Sequence, residues 1–506
     1  MTEKKEKQME QLSLLMHGFE TALSFYNIAL MVGGVLLGIL VGVLPGLGAP
    51  NGVTLLLPLT FMMPPVSAII LLSSMYWGAL FGGSTTSILF NIPGEPSSVA
   101  TTFDGYPMAR DGDAAKALAT AFLSAGFGAM AGVVVITLIA GTIADFAMQF
   151  SPPEYFAVYL LTFCSYVGMG GGVPLKTIAS LLIGLILATV GMDTVSGEMR
   201  LTYGTDVLVG GVSFLAAVVG LFGIGELLVT VEEGLKFEGL KARMSWRTVW
   251  ETARTMPRHA VTLVRSTVIG CWMGITPGGP TAASFMSYGI AKRFSKNPER
   301  FGKGTPEGVV APEAADHSAG VSALLPMLAL GVPGSATAAV MMGGLLIWGL
   351  QPGPMLFVEQ KDFVWGLISS MYVANVVGVI LVLATIPLFA SILRAPFAVV
   401  GPVIIVVCLI GAYTISGKMF DVYLALGFGI LGYLFKKLDY PIAPLILAMV
   451  LGDKAEDAFR QSMLMSGGNL SVFVGNGLVG TITALALGLL LLGFVSALRQ
   501  RRNVTH

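Results

Sequence analysis

The chain is organised by long apolar runs separated by short polar interruptions. Residues 28–44, 117–144, 207–229, 363–388 and 470–495 each hold few or no charges. A helix of about 20 such residues spans the hydrocarbon of a bilayer. The runs are continuous and lack the period-2 alternation of an outer-membrane strand, which argues against a β-barrel. The pattern predicts an all-α polytopic membrane protein with roughly 10–12 transmembrane helices, together with broken or re-entrant segments.

The polar interruptions divide the chain. Residues 232–258 carry Lys236, Lys241, Arg243, Arg247, Arg254 and Arg258, and residues 292–313 form a second basic loop. Residues 145–154 hold acids and no bases. Both ends are basic, with Lys4, Lys5 and Lys7 at the start and Arg499, Arg501 and Arg502 at the end. By the positive-inside tendency the two basic loops and both termini are expected in the cytoplasm, and 145–154 outside. The charged, amphipathic opening is not that of a cleavable signal peptide. The expected organisation is an N-terminal cytoplasmic amphipathic segment (1–24), a first membrane repeat (25–233), a basic cytoplasmic linker (234–258), a second membrane repeat (259–498) and a cytoplasmic tail (499–506).

The repeat rests on paired motifs. Gly42-Val-Leu-Pro-Gly46 is followed by Asn91-Ile-Pro-Gly-Glu95, and Gly274-Ile-Thr-Pro-Gly278 by Gly331-Val-Pro-Gly-Ser335. The same order of Pro-Gly pairs occurs in both halves, and the basic loop of the second half accounts for its longer spacing. Repeated halves joined by a linker are a common plan of secondary transporters, in which broken helices at corresponding positions line the substrate site. Inverted orientation of the halves is one form of that plan, and charge alone does not decide it.

Glycine and proline inside apolar segments release backbone groups that cannot face lipid. The expected breaks are Pro45, Gly46 and Gly48; Gly82, Gly83, Pro93 and Gly94; Pro277, Gly278 and Gly279; and Pro333 and Gly334. Helix N-termini at such breaks favour a carboxylate, and the freed carbonyls suit Na⁺. Asn51, Ser84, Thr85, Thr86, Asn91, Thr281, Ser284, Ser335 and Thr337 are the candidate donors to substrate. For any one cluster alone, close packing of helices is the favoured explanation of small residues; four clusters at repeat-related positions reverse that for the group, though not for any single residue.

Ionisable groups in membrane segments are costly and often functional. Glu95, Glu226, Glu313, Asp316 and His317 are therefore candidates for proton or ion coupling. Each also has a plain structural reading, as a loop mouth, a helix end or a solvated helix start. His17, His259 and His506 lie in polar segments and read as inert.

Composition narrows the class. The chain is 55% hydrophobic and 11% charged, with mean hydropathy +0.80, against about 25% charged in a soluble domain. Its 29 basic and 29 acidic residues leave no basic excess for nucleic acid. Cys164, Cys271 and Cys408 lie far apart in apolar segments, without disulfide or metal spacing. There is no phosphate loop, zinc-protease helix or nucleophile elbow. The expectation is a carrier and not an enzyme, without cofactor or metal, driven by a Na⁺ or H⁺ gradient.

Several stretches resemble the large membrane subunit of the tripartite tricarboxylate transporters, the TctA family. They are Leu44-Pro-Gly-Leu-Gly48, Tyr76-Trp-Gly-Ala-Leu-Phe-Gly-Gly-Ser-Thr-Thr-Ser-Ile-Leu-Phe-Asn-Ile-Pro-Gly94, Asp104-Gly-Tyr-Pro-Met-Ala-Arg110, the run from Lys292 to Gly304, Glu307-Gly-Val-Val-Ala-Pro-Glu-Ala-Ala315 and residues 331–357. Weaker likeness at Gly191-Met-Asp193 and Pro441-Ile-Ala-Pro-Leu445 extends it over nearly the whole chain. The resemblance implies a translocation subunit in a bacterial inner membrane. It implies two partners, a small membrane subunit and a periplasmic substrate-binding protein, and a di- or tricarboxylate cargo taken up by alternating access. Three places depart from the family pattern: Asp316-His317, where paired asparagines are common; Glu95, where a small hydroxyl residue is common; and Ala49-Pro50-Asn51. The alternative is a stand-alone ion-coupled carrier or antiporter without a binding protein; a membrane-embedded enzyme is a third class.

Overall fold

The computed structural model describes residues 2–44, 47–169, 173–193, 196–233, 244–276, 278–392 and 397–504. It is helical almost throughout. In chain order the α-helices are α1 (Thr2–Ala22), α2 (Phe25–Val43), α3 (Gly48–Leu56), α4 (Pro65–Phe90), α5 (Val99–Met108), α6 (Ala114–Ala147), α7 (Pro152–Met169), α8 (Pro174–Ala188), α9 (Phe214–Val218), α10 (Gly225–Glu233), α11 (Trp246–Thr255) and α12 (Ala260–Gly274). There follow α13 (Gly279–Phe294), α14 (Glu307–Ser322), α15 (Leu324–Leu330), α16 (Ala336–Ile347), α17 (Leu356–Glu359), α18 (Lys361–Ile392), α19 (Phe397–Ser416), α20 (Met419–Lys437), α21 (Ile442–Met465) and α22 (Gly477–Val504). Among the described residues, seven segments are long and apolar enough to cross a membrane, and three shorter apolar helices accompany them. The protein is a multi-pass membrane protein.

The chain forms two compact units. Unit 1 takes Met1–Ala144, Thr230–Ile275 and Gly279–Val407; unit 2 takes Asp145–Val229, Thr276–Gly278 and Cys408–His506. Each sequence half gives most of its first part to unit 1 and its last part to unit 2.

At the centre of unit 1 lies α4, with 94% of its most apolar window buried. A helix apolar on every side is a core helix. Glycines on α2 let the two backbones meet. Gly34 faces Leu71, Gly38 faces Met75, and Gly42 faces Ala79. Both numbers rise together, so α2 and α4 run parallel, and α3 is the return segment between them. In the second half Gly270 meets Ala315 and Gly274 meets Ala319. Thus α12 and α14 are also parallel, with α13 returning between them.

The two triplets run in opposite directions. Along the crossing of α4 and α14, Ser84 meets Glu313, Phe81 meets His317, and Tyr76 and Leu80 meet Gly320. One number falls as the other rises, so α14 is antiparallel to α4. Local geometry repeats as well. A left-handed residue ends α4 (Asn91, φ 56°), and another ends α15 (Gly331, φ 68°). Three residues later Gly94 and Gly334 each lie against a carbonyl, that of Gly42 and that of Gly274. A β-carbon at either site would overlap that oxygen, so the turn in each half is seated on the glycine that opens its first Pro-Gly motif.

The N-terminal helix is no free arm. Ser369 Oγ donates to the Leu15 carbonyl at 2.9 Å, Lys361 Nζ pairs with Glu10 at 2.6 Å, and the Phe19 and Tyr372 rings lie 5.7 Å apart. These pairs align α1 with the first turns of α18.

Unit 2 packs α22 against α7 and α8 against α21, again through glycines. Between α8 and α9 the chain makes a two-stranded hairpin, β1 (Gly191–Met192) with β2 (Met199–Arg200). Its Asp193 accepts from Arg460 at 2.8 Å, while Arg200 pairs with Glu456 at 2.8 Å. A 740 Å³ groove along α22, lined by Gly480, Ala484, Leu485 and Gly488, is apolar and holds no acid.

Candidate functional site

The chemistry in unit 1 gathers where α4, α14 and the turn after α4 meet. That turn contains Pro93, Gly94, Glu95 and a single 3₁₀ turn (Pro96–Ser98) that leads into α5. Glu313, on α14, is 1% exposed. Its carboxylate accepts from Ser84 Oγ at 2.9 Å and from Thr101 Oγ1 at 2.6 Å. Asp316, one turn on, accepts from Ser97 Oγ at 3.0 Å through one oxygen, and its other oxygen has no partner among the described residues. His317 Nδ1 lies 3.3 Å from the Glu313 carbonyl oxygen and 3.9 Å from its carboxylate. The carbonyl places the ring hydrogen on Nδ1, and Nε2 has no partner among the described residues. Phe81 covers the ring, with centroids 4.7 Å apart.

The third acid, Glu95, is buried at the start of α3, where the Ala49 amide donates to its Oε1. Gly48 takes φ 58° to admit that carboxylate beside its backbone. The first-turn amides of a helix suit an anion, and here the anion is the protein's own. Buried Tyr76 faces Ser335 and stands within electrostatic reach of Asp316 and Glu95. Among the described residues no lysine or arginine forms an ion pair with Glu95, Glu313 or Asp316. No group of three His, Cys, Asp or Glu is spaced to hold a metal ion among those residues.

The structure brings Ser84, Glu95, Glu313, Asp316, His317 and Ser335 together and gives the other candidates different tasks. The expected break at Gly82 and Gly83 is absent. The helix α4 runs through both, and they admit α2 and the Glu95 side chain at close range. Thr85 and Thr86 turn their hydroxyl hydrogens onto their own helix, at the carbonyls of Phe81 and Gly83. Asn91 is exposed and serves as the left-handed end of α4. Asn51 is buried on α3 and Thr337 on α16. Ser335 caps α16 by accepting from the Ala338 amide at 3.1 Å. Ser284 donates to the Pro312 carbonyl at 3.4 Å, and Thr281 is half-buried on α13. Gly279 packs against the Met273 carbonyl, Gly278 takes φ 78°, and Pro333 is buried. Pro45, Gly46 and Pro277 lie outside the described residues. Glu226 belongs to unit 2, where Lys436 pairs with it.

Sequence reasoning passed over Ser97 and Thr101, which donate to the acids, Tyr76 beside them, and Asp104 beyond. The missed signal was spacing. Ser97, Thr101 and Asp104 stand at i, i+4 and i+7, one face of a helix.

Comparison with known proteins carries the assignment. The profile described as "Tripartite tricarboxylate transporter TctA family" matches residues 28–447. The chain belongs to the TctA family. It is 39% identical over 497 residues to "Uncharacterized 52.8 kDa protein in TAR-I ttuC' 3'region" of Agrobacterium vitis, covering 98% of each chain. It is also 37% identical over 235 residues to "Uncharacterized protein in TAR-II ttuC' 3'region" of the same organism, covering 46% of this chain and 97% of that one. The TctA match spans both triplets and most of unit 2, so the acid cluster lies inside the family's own region. Membership also means a place among the subunits of a tripartite transporter.

Proposed function

We propose that this TctA-family chain is the translocation subunit of a binding-protein-dependent secondary transporter. It imports di- or tricarboxylates, citrate-like organic anions, across a bacterial inner membrane by alternating access. Its partners are a small membrane subunit and a periplasmic substrate-binding protein, and both of its termini face the cytoplasm. The movement is driven by a Na⁺ or H⁺ gradient.

One observation supports the coupling most directly. Three carboxylates are buried together, hydrogen-bonded by hydroxyls and an amide, without a lysine or arginine ion pair among the described residues. Uncompensated buried charge is expensive. A cation arriving from the gradient relieves that cost, and so ties the conformation of the cluster to the gradient. Asn51, Ser335, Thr337 and Thr281 are the groups that would meet the substrate carboxylates.

The test is uptake into proteoliposomes. The chain is reconstituted with its small subunit and binding protein, under imposed Na⁺ or H⁺ gradients, with labelled citrate and a dicarboxylate panel. Gradient-driven uptake that needs the binding protein is the expected result. Uptake without the binding protein would favour the stand-alone carrier, and no uptake of any acid would remove the cargo assignment.

A further inference from the structure

Asp104 is fully buried on α5 and accepts from four groups. The Gly302 amide lies 3.0 Å from both carboxylate oxygens, the Gly304 and Thr305 amides each lie 2.8 Å from Oδ1, and Tyr288 Oη donates to Oδ2 at 2.8 Å. Gly302 and Gly304 take φ 83° and 93° to turn their amides inward. Successive inward amides form an anion-binding nest, and this one is filled by a side chain of the other sequence half. The first turn of α14 rests on the same carboxylate, because a β-carbon at Gly308 would overlap it.

The contact is the first rung of a ladder. Asp104 holds residues 302–305, Thr101 holds Glu313, and Ser97 holds Asp316. The α5 side descends as the α14 side ascends. The register of the whole ladder is therefore set at its Asp104 end, where the bonds are most numerous and charge-assisted.

We propose that Asp104 is a positioning residue for cation coupling: its grip on the 302–305 nest sets the register of α14 against α5, and so the geometry of Glu313 and Asp316. It touches neither substrate nor cation. The inference rests on the reading of Glu313 and Asp316 as coupling groups, and the experiment separates the two.

Asp104→Asn, Asp104→Ala and the milder Tyr288→Phe are prepared in the complete transporter. Amide hydrogen exchange is followed over residues 301–306, and uptake is measured against the concentration of the coupling cation. The loss of one charge-assisted bond predicts exchange faster by roughly tenfold in Asp104→Asn, and Asp104→Ala, which removes all four partners' bonds, should exchange faster still. The cation concentration for half-maximal uptake should rise by a similar factor, with the maximal rate recovered at high cation. Tyr288→Phe should move both readouts in the same direction by less, and it reports if the Asp104 variants do not fold. Unchanged exchange overturns the grip itself, whatever the transporter carries. Faster exchange with an unshifted cation dependence overturns the positioning role. If wild-type uptake shows no cation dependence, the coupling reading falls and the positioning role with it.

Discussion

At the scale of single residues, the hydroxyls expected to bind a substrate carboxylate mostly hold the protein's own acids or their own helix. Ser84 and Thr101 donate to Glu313, and Ser97 to Asp316. Glu313→Gln keeps the size and one accepting oxygen but removes the charge, and the hydroxyl that faces its NH2 group must accept instead of donate. Gradient-driven uptake should fall by about tenfold or more, the scale of a lost charged hydrogen-bond partner. Exchange of internal for external substrate, which needs no net cation movement, should persist. If Glu313→Gln responds to the gradient as the wild type does, Glu313 is not a coupling group. Glu226→Gln provides the contrast. Its partner Lys436 is 36% exposed but Glu226 itself only 7%, so the lost ion pair should cost about 1–3 kcal/mol, between an exposed and a buried pair, read as a drop in melting temperature with the cation dependence unmoved.

At the scale of elements, the repeat is built on backbone contact. A methyl group on Gly42 meets the Ala79 carbonyl, and one on Gly274 meets that of Ala319. Gly42→Ala and Gly274→Ala should each destabilise by about 1–3 kcal/mol, as overpacking does, seen as earlier melting in detergent. A β-carbon at Gly33, on the same helix as Gly42, would meet nothing within 4 Å among the described residues. Gly33→Ala should be neutral or slightly stabilising, because alanine is the better helix former. Equal losses at positions 33 and 42 would mean that helix chemistry, and not the α2–α4 contact, sets the cost. This level was partly legible in the sequence. The Pro-Gly pairs at 45–46, 93–94, 277–278 and 333–334 marked the repeat, and at Gly94 and Gly334 only glycine allows so close an approach. The break expected at Gly82 and Gly83 was misread, since glycine serves close packing and broken helices alike, and sequence alone does not show whether a neighbouring backbone is near. Ser97, Thr101 and Asp104 escaped because their helix is short and follows a turn, so its face has no apolar stripe to announce it.

At the scale of the molecule, the sequence left the orientation of the halves open. Positive-inside counting needs to know which short helices cross, and the return segments α3 and α13 are too short to classify by length. The contact order along α4 and α14 resolves the question inside unit 1, because Ser84, Phe81 and Leu80 meet Glu313, His317 and Gly320 in reversed sequence. Opposed triplets place equivalent breaks on opposite sides of one centre, the arrangement that lets a site face either side of a membrane in turn. The arrangement can be tested with cysteine pairs in a background where Cys164, Cys271 and Cys408 are replaced. Leu80→Cys with Gly320→Cys should cross-link, since a β-carbon at Gly320 lies 3.1 Å from the end of the Leu80 side chain. Leu80→Cys with Gly308→Cys should not, since 12 helical residues carry position 308 about 18 Å along the axis. The reverse outcome would mean that α14 runs parallel to α4, and the opposed triplets would be lost. If the 80–320 bond forms and uptake stops while substrate still binds, the α4–α14 crossing must open or slide during transport. If uptake continues with the bond closed, the two helices travel as one body, and alternating access must come from motion elsewhere in the chain.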